Sequence, residues 1–282
     1  MLKMTEFYRG LGVEIAKMHA RGGASFPRHT HAEYVVSANL SGVEQIWVDG
    51  KNFNAIAETV TVYNPHAVQA STFKHLAGEA EFISLYIEPA ILAEIGKENA
   101  WLSRSIAPEV GQGVFTNTEL YRLILELYRS ASDGSDADFD TTLIELAAAL
   151  LSNSFYDIRP GKKPLDAERF DAVIEFMRTN LQTQVNLETL SKIGNVSKFH
   201  LIRSFKSAVG MPPAKYHMQL RLIEARRRLR IGQHVQDVAF DLGFYDQSHF
   251  INAFRKIMGV SPLRFATPRR PGHVGKPRIK VL

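Results

Sequence analysis

The chain has 282 residues, of which 45% are hydrophobic, so it can bury a sizeable core in one large or two ordinary domains. It holds no cysteine, which excludes disulfides and Cys-ligated zinc and fits a reducing cytoplasm. The net charge of +5 hides a split: residues 1–160 carry 12 Lys and Arg against 20 Asp and Glu, a balance of −8, whereas residues 161–282 carry 22 against 9, a balance of +13. The basic part is suited to a polyanion, or simply to a solvated face.

In chain order, the start "MLKMTEFYRGLGVEIAKMHARGG" lacks a continuous apolar stretch and a small-residue cleavage site, so no signal peptide is expected. No stretch is apolar enough over about 18–20 residues to span a bilayer. Residues 24–88 read as strands. "EYVVSANL", "EQIWVDG", "TVTVYNP" and "EFISLYIEP" are short β-branched or aromatic runs spaced by Gly, Asn, Asp and Pro, the pattern of a barrel or sandwich. Residues 117–131 and 139–153 then carry apolar side chains at three- and four-residue spacing and predict two helices, with "DGSDADFD" as a loop between them. These helices either pack on their own domain or pair two copies in a homodimer. Pro160, Gly161 and Pro164 punctuate a boundary in residues 156–169, where Asp166 can cap the next helix.

Beyond the boundary nearly everything reads as helix, and the segment repeats. "GNVSKFHLIRSFKSAVGMPP" shifted by 49 residues falls on "GFYDQSHFINAFRKIMGVSP". Gly194 meets Gly243, Ser197 meets Asp246, Leu201 meets Phe250, Phe205 meets Phe254, Lys206 meets Arg255, Gly210 meets Gly259 and Pro213 meets Pro262. A short helix precedes each unit, "NLETLSKI" and "VQDVAFDL". Each unit is thus helix, Gly-containing turn, second helix, the helix-turn-helix pattern. One copy means little; two in register in a basic segment predict a double-stranded DNA reader.

The second helix of such a unit enters the major groove and presents its N-terminal residues to base edges. In the first unit the outward stripe is Phe199, Ile202, Arg203 and Lys206, with Lys198 and His200 beside it. Arg203 can fork onto guanine, Lys198 and His200 can reach bases or phosphates, and Phe199 and Ile202 can pack on thymine methyls. The competing reading makes Phe199 and Ile202 partly buried core and Arg203 a surface ion pair. In the second unit the stripe is Gln247, Ser248, His249, Asn252 and Arg255; Gln and Asn suit adenine, and Arg255 suits a phosphate. Residues 212–231 predict a connecting helix of about 28 Å at 1.5 Å per residue. That length sets the two reading helices near the ~34 Å of one DNA turn. Arg221, Arg226, Arg227, Arg228 and Arg230 line it, to meet phosphates, pair with Glu224 or Asp237, or stay solvated. The Pro/Gly-rich basic tail "TPRRPGHVGKPRIKVL" is expected to add backbone attraction.

These runs, with "RLIEARRRL" and "VQDVAFDLGFYDQSHFINAFRKIMGVSPLRF", resemble the paired helix-turn-helix region of AraC/XylS-type bacterial transcription regulators over about residues 166–266. The resemblance implies base contact by Phe199, Ile202 and Arg203 in the first unit and by Gln247, Ser248, His249 and Asn252 in the second. Ile202 departs from the polar residues common there and favours a methyl contact. "FPRHTHAEYVVSANLSG" is similar to the start of the cupin-like barrel that many such regulators carry. The resemblance therefore implies an α+β chain of two domains: residues 1–158, a cupin-like effector-binding and dimerisation barrel with two helices, and residues 165–282, an all-α DNA-binding domain.

In "HTHAE", His29 and His31 share one face of an extended segment, with Glu33 two residues on. Such a set, with His66 as a fourth group, can hold a divalent metal. Glu33 lies closer to His31 than in metal cupins, and no Pro-x-Gly approach surrounds His66, so effector contact or barrel-wall hydrogen bonding by His29 and His31 is expected instead, with a purely structural role as the alternative. Tyr34, Trp47, Tyr63 and His66 are further candidates for the cavity lining. The expectation is a cytoplasmic, ligand-responsive regulator, more readily an activator, that meets DNA, an unknown small-molecule effector and RNA polymerase, with no cofactor, no metal and no catalytic residues. The alternative is a cupin metalloenzyme, a dioxygenase or isomerase, fused to a DNA-binding tail; a third reading is an architectural DNA-binding protein without an effector.

Overall fold

The computed structural model describes residues 2–73, 79–99, 101–102, 108–152 and 170–268. The expected boundary at 156–169, Asp166 and nearly all of the basic tail lie outside them.

Among the described residues ten strands form two antiparallel sheets. The strands are β1 (Leu2–Gly10), β2 (Val13–Ala20), β3 (Ser25–His29), β4 (Tyr34–Ser41), β5 (Val43–Val48), β6 (Lys51–Ile56), β7 (Val60–Tyr63), β8 (Gln69–Phe73), β9 (Ala80–Ile87) and β10 (Gly113–Phe115). One sheet has the order β1-β2-β9-β4-β7-β10, and the other β3-β8-β5-β6. The four strands expected from β-branched runs appear as β4, β5, β7 and β9. β1 and β2 were not foreseen. Their segment mixes charged and apolar residues, yet they pair along almost their whole length and β2 continues onto β9.

Sidedness follows the strand period of two. On β4, Tyr34, Val36 and Ala38 face one way, into a cluster with Leu120, Leu123, Leu146 and Leu150. Val35 and Ser37 face the other way, into the interior between the sheets. Helices α2 (Thr118–Asp133) and α3 (Asp136–Leu151) cover the outer face. The Asn117 side chain accepts from the backbone N–H of Leu120 and starts α2, and Gly134 at φ 77° ends it. The expected eight-residue loop is therefore only Gly134 and Ser135, because the acidic stretch from Asp136 joins α3. An additional helix, α1 (Pro89–Glu98), opens with Pro at its first turn, where a missing N–H costs nothing.

The C-terminal elements are α4 (Asp171–Thr179), α5 (Leu187–Ile193), α6 (Lys198–Val209), α7 (Pro213–Arg230), α8 (Val235–Asp241), α9 (Gln247–Met258) and α10 (Pro262–Ala266). The repeat is visible in the caps. Ser197 accepts from His200 N–H at the start of α6, and Asp246 from His249 N–H at the start of α9. Gly210 (φ 86°) and Gly259 (φ 71°) end the two helices in the left-handed region, and Pro213 and Pro262 open the helices that follow. The matched turn glycines differ, however. Gly243 has φ 66°, and a Cβ there would lie 1.8 Å from the Gln182 carbonyl oxygen, whereas Gly194 is right-handed and Asn195 takes the positive φ of 47°.

Candidate DNA-reading surface and effector cavity

Two helices carry the sequence-predicted reading residues. On α6, Leu201 and Phe205 are fully buried against Phe170, Val173 and Leu190, which holds the opposite stripe outward. Phe199 is 76% and Ile202 39% exposed, so neither is core. Lys198, His200, Arg203 and Lys206 are exposed as well. Lys198 Nζ lies 3.2 Å from a Glu188 carboxylate oxygen, and Arg203 has no ion-pair partner among the described residues. On α9, Phe250, Phe254, Ile257 and Met258 are buried, and Gln247, Ser248, His249, Asn252 and Arg255 are exposed. The His249 ring sits edge-on to Phe244 at 5.5 Å.

The arginines of α7 divide. Arg227 and Arg228 pair with Glu224 on their own helix, and Arg228 Nη1 also donates to Asp241 at 3.0 Å. Arg221 donates to the Gly243 carbonyl at 3.2 Å. Arg226 and Arg230 instead enter the barrel, and Arg226 is only 2% exposed. Its Nη2 donates to Glu14 at 2.9 Å, its Nη1 to Glu33 at 2.9 Å and to His31 Nδ1 at 3.0 Å. Arg230 makes two bonds of 2.8 Å to Glu14 and one to Glu33. Arg9 adds a third guanidinium to Glu14 at 2.8 Å. Burial alone would raise the Glu14 carboxyl, but the three guanidiniums outweigh it and hold it down at about 2. The same contest, settled by Arg226 and Arg230, lowers Glu33. Phosphate contact by Arg226 or Arg230, one of the readings open from sequence, does not fit this burial. Glu33 and His31 are likewise bonded to a guanidinium, which occupies the place a metal ion would need. Among the described residues no group of three or more His, Asp or Glu is arranged to hold a metal.

Between the sheets lies a cavity of about 40 Å³, room for about three waters. His29, His31 and Tyr63 line it, with Glu44, Gln69 and Ser71 from β5 and β8, and Ile257 of α9 forms part of its wall. His29 Nδ1 donates to the Pro27 carbonyl at 2.7 Å, which leaves Nε2 to accept from Gln69 Nε2 at 3.3 Å. Burial lowers His29 to about 4 and pushes His31 down with it, so both imidazoles are neutral at physiological pH.

Other predicted lining residues lie elsewhere. Tyr34 faces the helices, and its hydroxyl donates to the Pro108 carbonyl. Trp47 faces outward from β5, with the Arg28 guanidinium 3.8 Å above its ring and Gly210 against its edge. His66 is exposed, at φ 66°, and its N–H donates to the His31 carbonyl. The inward reading of these three fails for one reason: strand phase and loop direction are set by pairing, which the runs alone do not state. Glu33 turns toward Arg226 rather than lining the open space.

Residues 17–151 match the AraC-like ligand binding domain, and residues 190–267 match a helix-turn-helix domain. The chain belongs to the AraC-type transcription regulators. The AraC-type chain is 25% identical over 226 residues to the uncharacterized HTH-type transcriptional regulator YbfI of Bacillus subtilis, covering 79% of this chain and 81% of that one. It is 31% identical over 127 residues to the HTH-type transcriptional activator RhaS of Enterobacter sp., covering 45% of this chain and 44% of that protein, so it spans under half of RhaS. The crystal structure of unsaturated fatty acid bound ToxT from Vibrio cholerae has the same fold, with a TM-score of 0.56 at 12% identity, over 91% of this chain and 95% of that one. The two-domain α+β reading thus stands, with a third helix beside the barrel.

Sequence reasoning about this AraC-type chain missed Glu14, Glu44 and Gln69. Only the opposite charge balances of the two halves hinted that arginines of one would seek carboxylates of the other.

Proposed function

We propose that this ligand-responsive DNA-binding regulator reads two half-sites with α6 and α9 and holds its effector in the cavity between the sheets. The observation that carries the reading is the separation of faces on two equally capped helices. Lys198, Phe199, His200, Ile202, Arg203 and Lys206 on α6 stand in solvent while the opposite face is sealed, and the same holds for Gln247, Ser248, His249, Asn252 and Arg255 on α9. Four exposed polar side chains on α6 and five on α9 suit helices that enter a groove.

In this reading residues 1–158 sense and residues 165–282 bind DNA. Ile257 supplies the coupling: a buried residue of the second reading helix is also wall of the cavity. An effector that prefers one position of Ile257 shifts the orientation of α9 by its differential affinity. His31, in the wall, has Nδ1 on Arg226 and keeps Nε2 as a neutral hydrogen-bonding group for it, while His29 is held in place by Pro27 and Gln69. Activation through RNA polymerase, as a homodimer in the cytoplasm and without catalysis, completes the proposal. No helix among the described residues is long and apolar enough to cross a membrane. Selection of bound fragments from random DNA, with and without cell extract metabolites, tests it. Two conserved half-sites about one turn apart, one altered by changes in α6 and the other by changes in α9, are expected; a featureless pool sinks it.

A further inference from the structure

The cavity has an unusual charge inventory. Among the described residues its lining contains one group that ionises near neutral pH, Glu44, and no cation. Glu44 is partly buried in the barrel and lines the cavity. Its partner is a hydroxyl: Ser71 on the neighbouring strand hydrogen-bonds to it. Arg226, whose guanidinium lies 5.2 Å from the ring centre of the lining residue Tyr86, is already committed to Glu14, Glu33 and His31. A buried carboxylate without a counter-charge is costly, and proteins ordinarily pair it or keep it out. A second acceptor faces the same space. Gln69 is 5% exposed, its amide nitrogen is used on His29, and its Oε1 has no partner. Gln69 and Ser71 lie two apart on β8 and therefore on one face, about 7 Å apart. Aromatic rings of Tyr63 and Tyr86 complete the wall.

A carboxyl partnered by a hydroxyl and not by a charge, beside an acceptor with no donor, among aromatic faces and with no cation among the described lining residues, calls for a donor that brings positive charge. Resting on the effector reading above, we propose that the ligand of this cavity is a small protonated amine carrying a second hydrogen-bond donor, its ammonium on Glu44 and its other donor on Gln69 Oε1. An anion would meet Glu44 with like charge. A neutral polyol would leave Glu44 uncompensated. The room for about three waters limits the ligand to a few heavy atoms.

Burial outweighs the lowering by the Ser71 hydroxyl and holds Glu44 up at about 7, so the amine competes with a proton for it. The other titratable groups that face the cavity stay out of that window. His29 is lowered to about 4, His31 is pushed down by burial and the neighbouring charges, and burial raises Tyr63 and holds Tyr86 at about 12. Amine binding therefore releases a proton at pH 6 and almost none at pH 8, and it is tighter at pH 8.

The experiment uses the full chain with three isosteres: ethanolamine, ethylene glycol and glycolate, at millimolar concentration. Calorimetry and thermal unfolding are expected to show binding and stabilisation by ethanolamine only, with affinity about 30-fold or more weaker in Glu44→Gln, as for loss of one partner of a buried charge pair. Should Glu44→Gln fail to fold, proton release by the unaltered protein at pH 6, measured in buffers of different ionisation enthalpy, decides the same point. No stabilisation by ethanolamine, equal stabilisation by the glycol or glycolate, or binding without proton release at pH 6 overturns the proposal. DNA selection on the same samples separates the outcomes: a retained two-part site with no amine binding removes this ligand class and leaves the regulator reading in place.

Discussion

The two helix-turn-helix units share caps, inner aromatic residues and an outward polar stripe, yet they meet the barrel differently. The first unit has its own core, built from Phe170, Leu190, Leu201, Phe205 and Tyr216, and touches the barrel at an edge through Val68 and Trp47. The second unit has no separate core: Phe250, Phe254 and Phe265 pack in one cluster with Met4, Phe7, Met18 and Phe82 of the barrel. The lesson is that a repeated sequence unit repeats its local geometry and not its neighbours. The second unit is built onto the sensing half, and the first is hung beside it by α7.

The largest effect tests the clasp that joins α7 to the barrel. Arg226→Ala leaves Glu14 and Glu33 short of a buried partner and is expected to cost about 3–5 kcal/mol in urea unfolding at neutral pH. Arg227→Ala, an exposed neighbour, costs about 0–1 kcal/mol. Equal effects would show that the clasp is decorative. The pH dependence has a fixed sign. Glu14 has a folded value depressed from 4.5 to about 2, so its contribution is complete above 4.5 and is lost as pH falls toward 2. Unaltered protein should lose stability across that window, and the deficit of Arg226→Ala should shrink within it.

Next, Gly243→Ala and Gly194→Ala compare the two turns. The first is expected to cost about 1–3 kcal/mol for the left-handed backbone alone, and more for the clash with Gln182. The second has a negative φ and a nearest Cβ neighbour at 3.3 Å, so thermal unfolding should change little. A similar loss at both would mean that the turns are equivalent after all.

Base reading comes third. Arg203→Ala should weaken a selected site by about 1–3 kcal/mol and leave random DNA nearly unaffected in binding titrations. His249→Ala and Asn252→Ala should relax the other half-site. Equal losses on selected and random DNA would make Arg203 a phosphate anchor.

The smallest effect concerns the edge contact of the first unit. Arg28→Ala removes a cation over Trp47 and a hydrogen bond to the Gly210 carbonyl, at about 1 kcal/mol. Hydrogen exchange at the end of α6 should rise while exchange in α9 does not. A rise in both would tie the two units more closely than their separate cores imply.

Much of the reading surface was legible because helical signals are local. Ser197, Asp246, Gly210, Gly259 and the two prolines act within one turn of their own position, and the 3.6-residue period places Phe205 and Arg203 on opposite faces without any partner. The barrel was less legible. β1 and β2 owe their existence to pairing with each other and with β9, and α1 to packing of Leu92 and Ile95 under α3. His29 and His31 were found by their spacing. Glu44 and Gln69 sit among ordinary strand residues, 25 positions apart in sequence, and only the register of β5 on β8 brings their faces together.

What the chain's own order of residues determined is the class of the protein, the two capped reading helices and the direction of their polar faces, because caps and helical periodicity act over a few residues. The tertiary structure decided the fate of each arginine on α7, the sides taken by Tyr34, Trp47 and Glu33, and the lone carboxyl in the cavity. Those depend on which distant carboxylate or sheet a side chain meets, and burial makes that meeting a matter of several kcal/mol that no local pattern encodes.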